Sequence, residues 1–256
     1  MKDAALRLGL TVLTPALLRP FVAEARNLGA DAFVVASYGK IVPQAMLDLV
    51  PIAFNVHPSL LPLYRGATPL QSAIRDGRTQ TGVTIMAMDA GMDTGDVLLR
   101  ERTPLGSDET YGMLHDRLAA RGAVMIVDAL DRHAAGTLRR TTQDAVAEAE
   151  GIAAAEIAAT LTRPWRKDDY VLDLTRGPDA ALNLVRAAAP QPGARLDTGA
   201  EIVKVLAARR AAPDETGASV TSDGGFVAGG IVLLRVTPPN RGPMSAAAWR
   251  ASAVSA

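Results

Sequence analysis

The first half of the chain alternates short apolar runs with helical patterns, and this alternation limits the possible folds more than any other feature. LTVL (10–13), DAFVVAS (31–37) and IAFNV (52–56) read as strands, and helical patterns over 16–28 and 43–50 separate them. Strands joined by helical crossovers lie parallel, because a two-residue turn cannot connect parallel neighbours. Runs that are apolar on both faces belong in a sheet covered by helices on both sides. The spacing therefore predicts an α/β domain built on a parallel sheet.

Thr68-Pro69 predicts a helix start, with Thr68 as N-cap and Pro69 in the first turn, and Asp76-Gly77 predicts its stop. TGVTIMAMD (81–89) alternates like a strand and DVLLRERT (96–103) can pair with it, which leaves AGMDTG as a tight loop beside the sheet edge. From Thr110 to about Ala135, Leu114, Leu118, Met125 and Leu130 recur at helical spacing and predict one long helix. Residues 136–165 are polar and alanine-rich without a strong period and read as a linker. A helix over 178–189 follows, then short strands near 201–207, 218–222 and 230–236, with Asp223-Gly224-Gly225 as a turn. Short strands with glycine turns suggest a small barrel. The expected division is 1–137, a linker over 138–165, and a barrel domain over 166–256.

At 256 residues and 48% apolar content the chain can bury a sizeable core. It has no cysteine, which excludes disulfides and thiolate metal sites, and its three histidines, His57, His115 and His133, are too scattered for a zinc helix. No metal site is expected. No apolar run approaches the roughly 18–20 residues of a membrane span, and the start lacks a signal-peptide core, so a cytoplasmic protein without membrane contact is expected. Twenty-seven Lys and Arg balance 27 Asp and Glu. Zero net charge argues against an unaided grip on polyanions, so any RNA contact has to be local.

The stretch FNVHPSLLPLYRG (54–66) ends an apolar run in a way an ordinary buried strand does not. Alternation along a strand puts Asn55 and His57 on one face and Val56 on the other. The pair would lie at the carboxyl end of its strand, where open parallel sheets bind ligands. Asp93 in AGMDTG could meet His57 and fix its orientation and tautomer. Together the three can run an acyl-type transfer without a covalent intermediate: Asn55 donates to the developing oxyanion, His57 handles the proton of the attacking amine, and Asp93 supports the imidazolium. Each residue alone has a plainer reading, as a satisfied strand-end histidine, a loop capper and a turn aspartate. Ser59 lacks a G-x-S-x-G elbow and no G-x-G-x-x-G follows a strand, so a hydrolase triad and a dinucleotide site both fit poorly. His115 and His133 are expected at the surface of the long helix.

NVHPSLLPLYRGATPLQSAI followed by TGVTIMAMDAGMDTGDVLL resembles the 10-formyltetrahydrofolate-dependent formyltransferases, most closely the branch that acts on methionyl-tRNA. The resemblance implies a Rossmann-like formyltransferase domain followed by an OB-like barrel, and a catalytic trio of Asn55, His57 and Asp93. It places the folate pocket on Ser59, Leu60, Leu61 and Pro62 and on SYGKIVP (37–43), with Tyr38, Gly39 and Ile41. It implies 10-formyltetrahydrofolate as co-substrate, no metal, initiator methionyl-tRNA as acceptor and a monomer. VLDLTRGPDAALNLVRAAAPQPGA and NRGPMSAAAW resemble the start and close of that branch's C-terminal barrel, with Ala188 and Gln191 where the family carries aromatic rings. Sugar N-formyltransferases share the trio and are the alternative, as is a folate-binding copy without full activity. The resemblance begins at the family's second helix, so the first strands and the basic loop that contacts tRNA are expected to be missing from the chain and tRNA binding to be weak.

Overall fold

The computed structural model describes residues 2–254; Met1, whose standing as a start the resemblance questions, lies outside them. Helices α1 (Lys2–Arg7) and α2 (Leu18–Arg26) lead into strand β1 (Phe33–Ala36), helix α3 (Gln44–Leu47) and strand β2 (Ala53–His57). LTVL forms no strand: residues 10–13 lie in irregular chain, and Leu10 and Leu13 are exposed. A strand needs a partner to satisfy its backbone, and among the described residues β1 is the sheet's outer strand. Helix α4 (Pro69–Arg75), strands β3 (Gln80–Ala87) and β4 (Val97–Pro104) and the 24-residue helix α5 (Tyr111–Ala134) complete this half.

The sheet runs β1-β2-β3-β4. Only β1 and β2 are parallel, in a register that places Val35 beside Asn55 and Ala36 beside Val56. β3 is antiparallel to both β2 and β4. Alternation along β2 sorts its side chains between the two faces. Phe54 and Val56 face a core of Ile52, Leu70, Ile74, Val83, Ile85, Leu114 and Leu118, which α4 and α5 cover. Burying each such large side chain contributes about 1.5–3 kcal/mol. The helix comes close because Gly122 of α5 has no side chain: a Cβ there would stand 2.7 Å from a Val56 methyl. His115 is exposed as expected, whereas His133 is half-buried and packs edge-on against Phe54.

The segment read as a linker contains two helices, α6 (Gln143–Glu150) and α7 (Ala154–Ala159). Helix α8 (Pro178–Ala188) then precedes strands β5 (Ala194–Asp197), β6 (Ile202–Arg210), β7 (Phe226–Ala228), β8 (Ile231–Thr237) and β9 (Met244–Ser245), and helix α9 (Ala246–Val254) ends the described chain. The second sheet runs β5-β6-β8-β7 with β9 beside β8, all antiparallel. Residues 218–222 contribute only an isolated bridge from Val220 to Phe226, in place of the expected strand. A second core gathers Val185, Ala188, Val203, Val205, Ile231, Leu233 and Trp249. Ala188 fits fully buried beneath the sheet, where an aromatic ring would need more room. Trp165 packs on both cores.

Candidate active site

The face of β2 opposite Phe54 and Val56 carries Asn55 and His57 at the strand's carboxyl end. Asp93 comes from the loop between β3 and β4, and the structure brings the three side chains together. Asn55 Nδ2 donates to Asp93 Oδ1 at 3.3 Å, and His57 Nδ1 lies 3.7 Å from Asp93 Oδ2. The second carboxylate oxygen also accepts the backbone N–H of Gly66 at 2.8 Å. An amide nitrogen has two protons. With one on Asp93, the other N–H of Asn55 remains to donate.

The tautomer of His57 is set by a residue that sequence reasoning passes over. His57 Nε2 is 2.9 Å from the carbonyl oxygen of Tyr64. A carbonyl can only accept, so Nε2 carries the proton and neutral His57 keeps its lone pair on Nδ1, facing Asp93. The 3.7 Å to Asp93 exceeds a hydrogen bond. Asp93 is therefore a nearby charge, and the Tyr64 carbonyl performs the orienting expected of Asp93. Burial pulls the His57 pKa down, against the Asp93 carboxylate and the Tyr64 carbonyl, which raise it.

Tyr64 delivers its carbonyl from an unusual conformation, with φ 58°. Non-glycine residues rarely adopt this left-handed region without support. The support is visible: Tyr64 N–H donates to Thr160 Oγ1 at 3.3 Å, its hydroxyl donates to Asp76 at 3.1 Å and accepts from Arg78 Nε at 2.8 Å. Burial, its largest cause, pushes the phenol up to about 12. Gly66 two residues on has φ 105°, and a Cβ there would stand 2.1 Å from the Thr162 carbonyl oxygen, so only glycine passes.

The residues assigned to a folate pocket divide in two. Tyr38 and Ile41 are exposed on the loop after β1, and Ile41 is 88% accessible. That loop leaves the sheet beside the loop after β2, because β1 and β2 are parallel neighbours. Ser59 and Leu61, by contrast, are fully buried. Ser59 Oγ donates to the Leu63 carbonyl at 2.7 Å, and the Leu61 side chain packs with Met86, Val97 and Val146. Thr84 ties this turn to β3: it donates to the Ser59 carbonyl at 2.7 Å and accepts from Leu61 N–H at 3.2 Å. Thr68 sits at the N-cap position of α4 without a side-chain cap, its hydroxyl spent on the Arg163 carbonyl at 2.8 Å.

Comparison with known proteins gives this arrangement a class. A family profile described as formyl transferase matches residues 16–130. Two solved structures share the fold. HypX from Aquifex aeolicus in complex with tetrahydrofolic acid superposes with a TM-score of 0.66 at 17% identity, over 90% of this chain and 40% of that one. The N-formyltransferase from Helicobacter canadensis in complex with folinic acid and dTDP-3-aminofucose gives 0.67 at 18%, over 90% and 81%.

Sequence relatives narrow the class. A methionyl-tRNA formyltransferase of Roseiflexus sp. (strain RS-1) is 39% identical over 98% of this chain and 77% of its own length. Others from Pseudomonas paraeruginosa and Ruegeria pomeroyi are 40% and 42% identical over 93% and 91% of this chain and 75% of each relative. The chain belongs to the methionyl-tRNA formyltransferase family. Among the described residues no cluster of ligating side chains could hold a metal ion, and no helix is long and apolar enough to cross a membrane.

Proposed function

We propose that the chain transfers the formyl group of 10-formyltetrahydrofolate to the amino group of methionyl-tRNA, in the cytoplasm, with Asn55, His57 and Asp93 as its catalytic residues. The observation that carries the assignment of roles is the His57 ring, held by the Tyr64 carbonyl with a bare Nδ1 turned toward Asp93. The folate supplies an activated one-carbon carbonyl. The remaining N–H of Asn55 stabilises negative charge as it builds on that carbonyl oxygen. His57 Nδ1 takes a proton from the attacking amine and returns it to the departing folate nitrogen, and Asp93 stabilises the imidazolium in between. A carbon–nitrogen bond forms, another breaks, and the proton passes through one ring atom.

The residues present fit a folate. Two loops, 37–43 and 58–66, leave adjacent carboxyl strand ends, which is where open α/β sheets bind ligands. Tyr38, Gly39 and Ile41 line the proposed cleft, with Pro62 bracing the neighbouring turn, whereas Leu60 is buried against Gly82 of β3 and does not face it. Ser59 and Leu61 shape this turn from below through buried contacts.

The test is formyl transfer from 10-formyltetrahydrofolate to charged initiator methionyl-tRNA, run beside a dTDP-amino sugar as competing acceptor. Transfer to the tRNA and none to the sugar is expected. Transfer to the sugar alone, or to neither, overturns the reading.

A further inference from the structure

Helix α6 carries a side chain whose contacts all lie in the proposed site. Gln143 is its first residue, on a turn capped by Thr142, whose hydroxyl accepts Ala145 N–H at 3.2 Å. The side chain is buried, with 3% of Gln143 accessible. Its Nε2 donates to the carbonyls of Asp93 and Gly95, both at 2.8 Å. Its Oε1 accepts from Arg65 Nε at 2.8 Å. The partners leave the amide one orientation, because two carbonyls require the nitrogen and a guanidinium requires the oxygen. Both protons and the acceptor are spent.

The places held by that amide matter. Asp93 has φ 55°, a left-handed conformation that aspartate tolerates better than most residues but that remains a minority state of the free chain. Gln143 grips the peptide planes on either side of the Thr94-Gly95 pair, so the backbone that follows the Asp93 carboxylate is fixed at two points. Arg65, its third partner, immediately precedes Gly66, the residue whose N–H the carboxylate accepts. One amide thus ties the Asp93 backbone directly and reaches the Gly66 loop through the Arg65 guanidinium. A buried amide retained only for filling space would not need three partners from two loops.

We propose that Gln143 is a positioning residue for formyl transfer, fixing Asp93 against Gly66, Asn55 and His57. The proposal rests on the catalytic reading above. It makes α6 part of the site, although no atom of Gln143 need touch a substrate. A charge displaced by about 1 Å from its productive place can cost about 10²-fold in rate.

The test uses the full chain with Gln143→Met, which keeps length and volume and removes every hydrogen bond, and Gln143→Glu, which keeps the acceptor and turns an oxygen on two carbonyls. In Gln143→Met kcat should fall about 10²-fold, and KM for folate and for tRNA should stay within about threefold. Gln143→Glu should lose at least as much. Combined with Asp93→Asn, the Gln143→Met loss should largely disappear, because the residue acts through Asp93. A loss of the same size in both backgrounds overturns the proposal, as does a Gln143→Met kcat within threefold of the parent. Should Gln143→Met fail to fold, Gln143→Asn, one methylene short of its partners, carries the same comparison. Amide exchange supplies a readout that needs no activity. Relative to the β3 amides, Gly66 N–H should exchange at least about tenfold faster in the variant, and an unchanged rate overturns the proposal. A parent that transfers no formyl group therefore defeats the proposed function alone, and the exchange experiment still judges Gln143.

Discussion

The two halves of the site are held in place by different means. Asn55 and His57 stand on β2, between a parallel and an antiparallel neighbour, above a core that packs Phe54 and Val56. Tyr64, Gly66 and Asp93 stand on loops, two of them non-glycine residues at positive φ. Gln143 holds Asp93 from 50 residues away, Thr160 holds Tyr64 from 96, and Thr162 holds the intervening Arg65 carbonyl from 97. The backbone of the strand half is fixed by cooperative burial and ladder bonding, so no single contact decides where β2 runs, although the Tyr64 carbonyl still sets the His57 ring. The loop half is fixed by a few individual hydrogen bonds, so single side chains do decide it. A charge and an imidazole need sub-ångström placement to cooperate, and the chain reaches it by tying the loops to a segment with no role in either sheet.

The largest effect should come from emptying the strand half. His57→Ala removes the proton carrier while leaving β2 paired, and kcat for formyl transfer should fall by about 10²–10⁴. Thermal melting of the same sample should stay cooperative. A kcat within a few-fold of the parent would show that the bare Nδ1 is a bystander.

Asp93→Asn strikes where the halves meet. An amide keeps an acceptor for one of the two N–H groups now on the carboxylate but cannot stabilise an imidazolium. We expect a folded variant with kcat lower by about 10²-fold, the melting curve and rate being measured together. A variant unfolded at assay temperature would make Asp93 a structural turn residue.

The same division separates what is legible in the sequence from what is not. Period-two alternation identifies the face shared by Asn55 and His57, and the pairing of 81–89 with 96–103 places Asp93 at the sheet edge, because strand geometry is local. LTVL misleads because apolarity alone makes no strand: among the described residues, 10–13 pair with no strand of the sheet, and Leu10 and Leu13 lie exposed. Residue identity points to Asp93 for the tautomer because carboxylates are the familiar partners of histidine, while a backbone carbonyl leaves no trace in residue identity. Gln143 and Thr160 are unreadable for a related reason: each is a common polar residue in an alanine-rich stretch, and its meaning lies in partners that only the tertiary fold supplies.

A smaller effect should come from loosening one tie in the loop half. Thr160 Oγ1 accepts the Tyr64 N–H and donates back to the carbonyl of Glu156 at 3.0 Å. Thr160→Val keeps the shape and leaves a buried N–H without a partner, which costs about 1–3 kcal/mol. Thr160→Ser should retain most of the stability. Urea titration of the two variants decides, and equal stabilities would mean that the Tyr64 conformation needs no such tie.

The smallest expected effect is a pH dependence that separates the two influences on His57. Burial lowers its pKa from the ordinary value of about 6.5. Between that value and the lower folded one, the unfolded chain binds more protons than the folded chain. Stability from neutral His57 is therefore fully present above about pH 6.5 and drains away as pH falls through the folded pKa. Comparison with His57→Gln isolates this contribution: the stability difference between parent and variant should shift against the parent by about 1 kcal/mol per pK unit of depression between pH 7 and pH 5. Asp93 opposes the depression, so Asp93→Asn should enlarge the shift, whereas a change at the Tyr64 ring that leaves its carbonyl in place should not. A parent and a His57→Gln variant that lose stability in parallel from pH 7 to pH 5 would show that the ring titrates alike in both states. The buried, carbonyl-held imidazole inferred from the contact with Tyr64 would then be wrong.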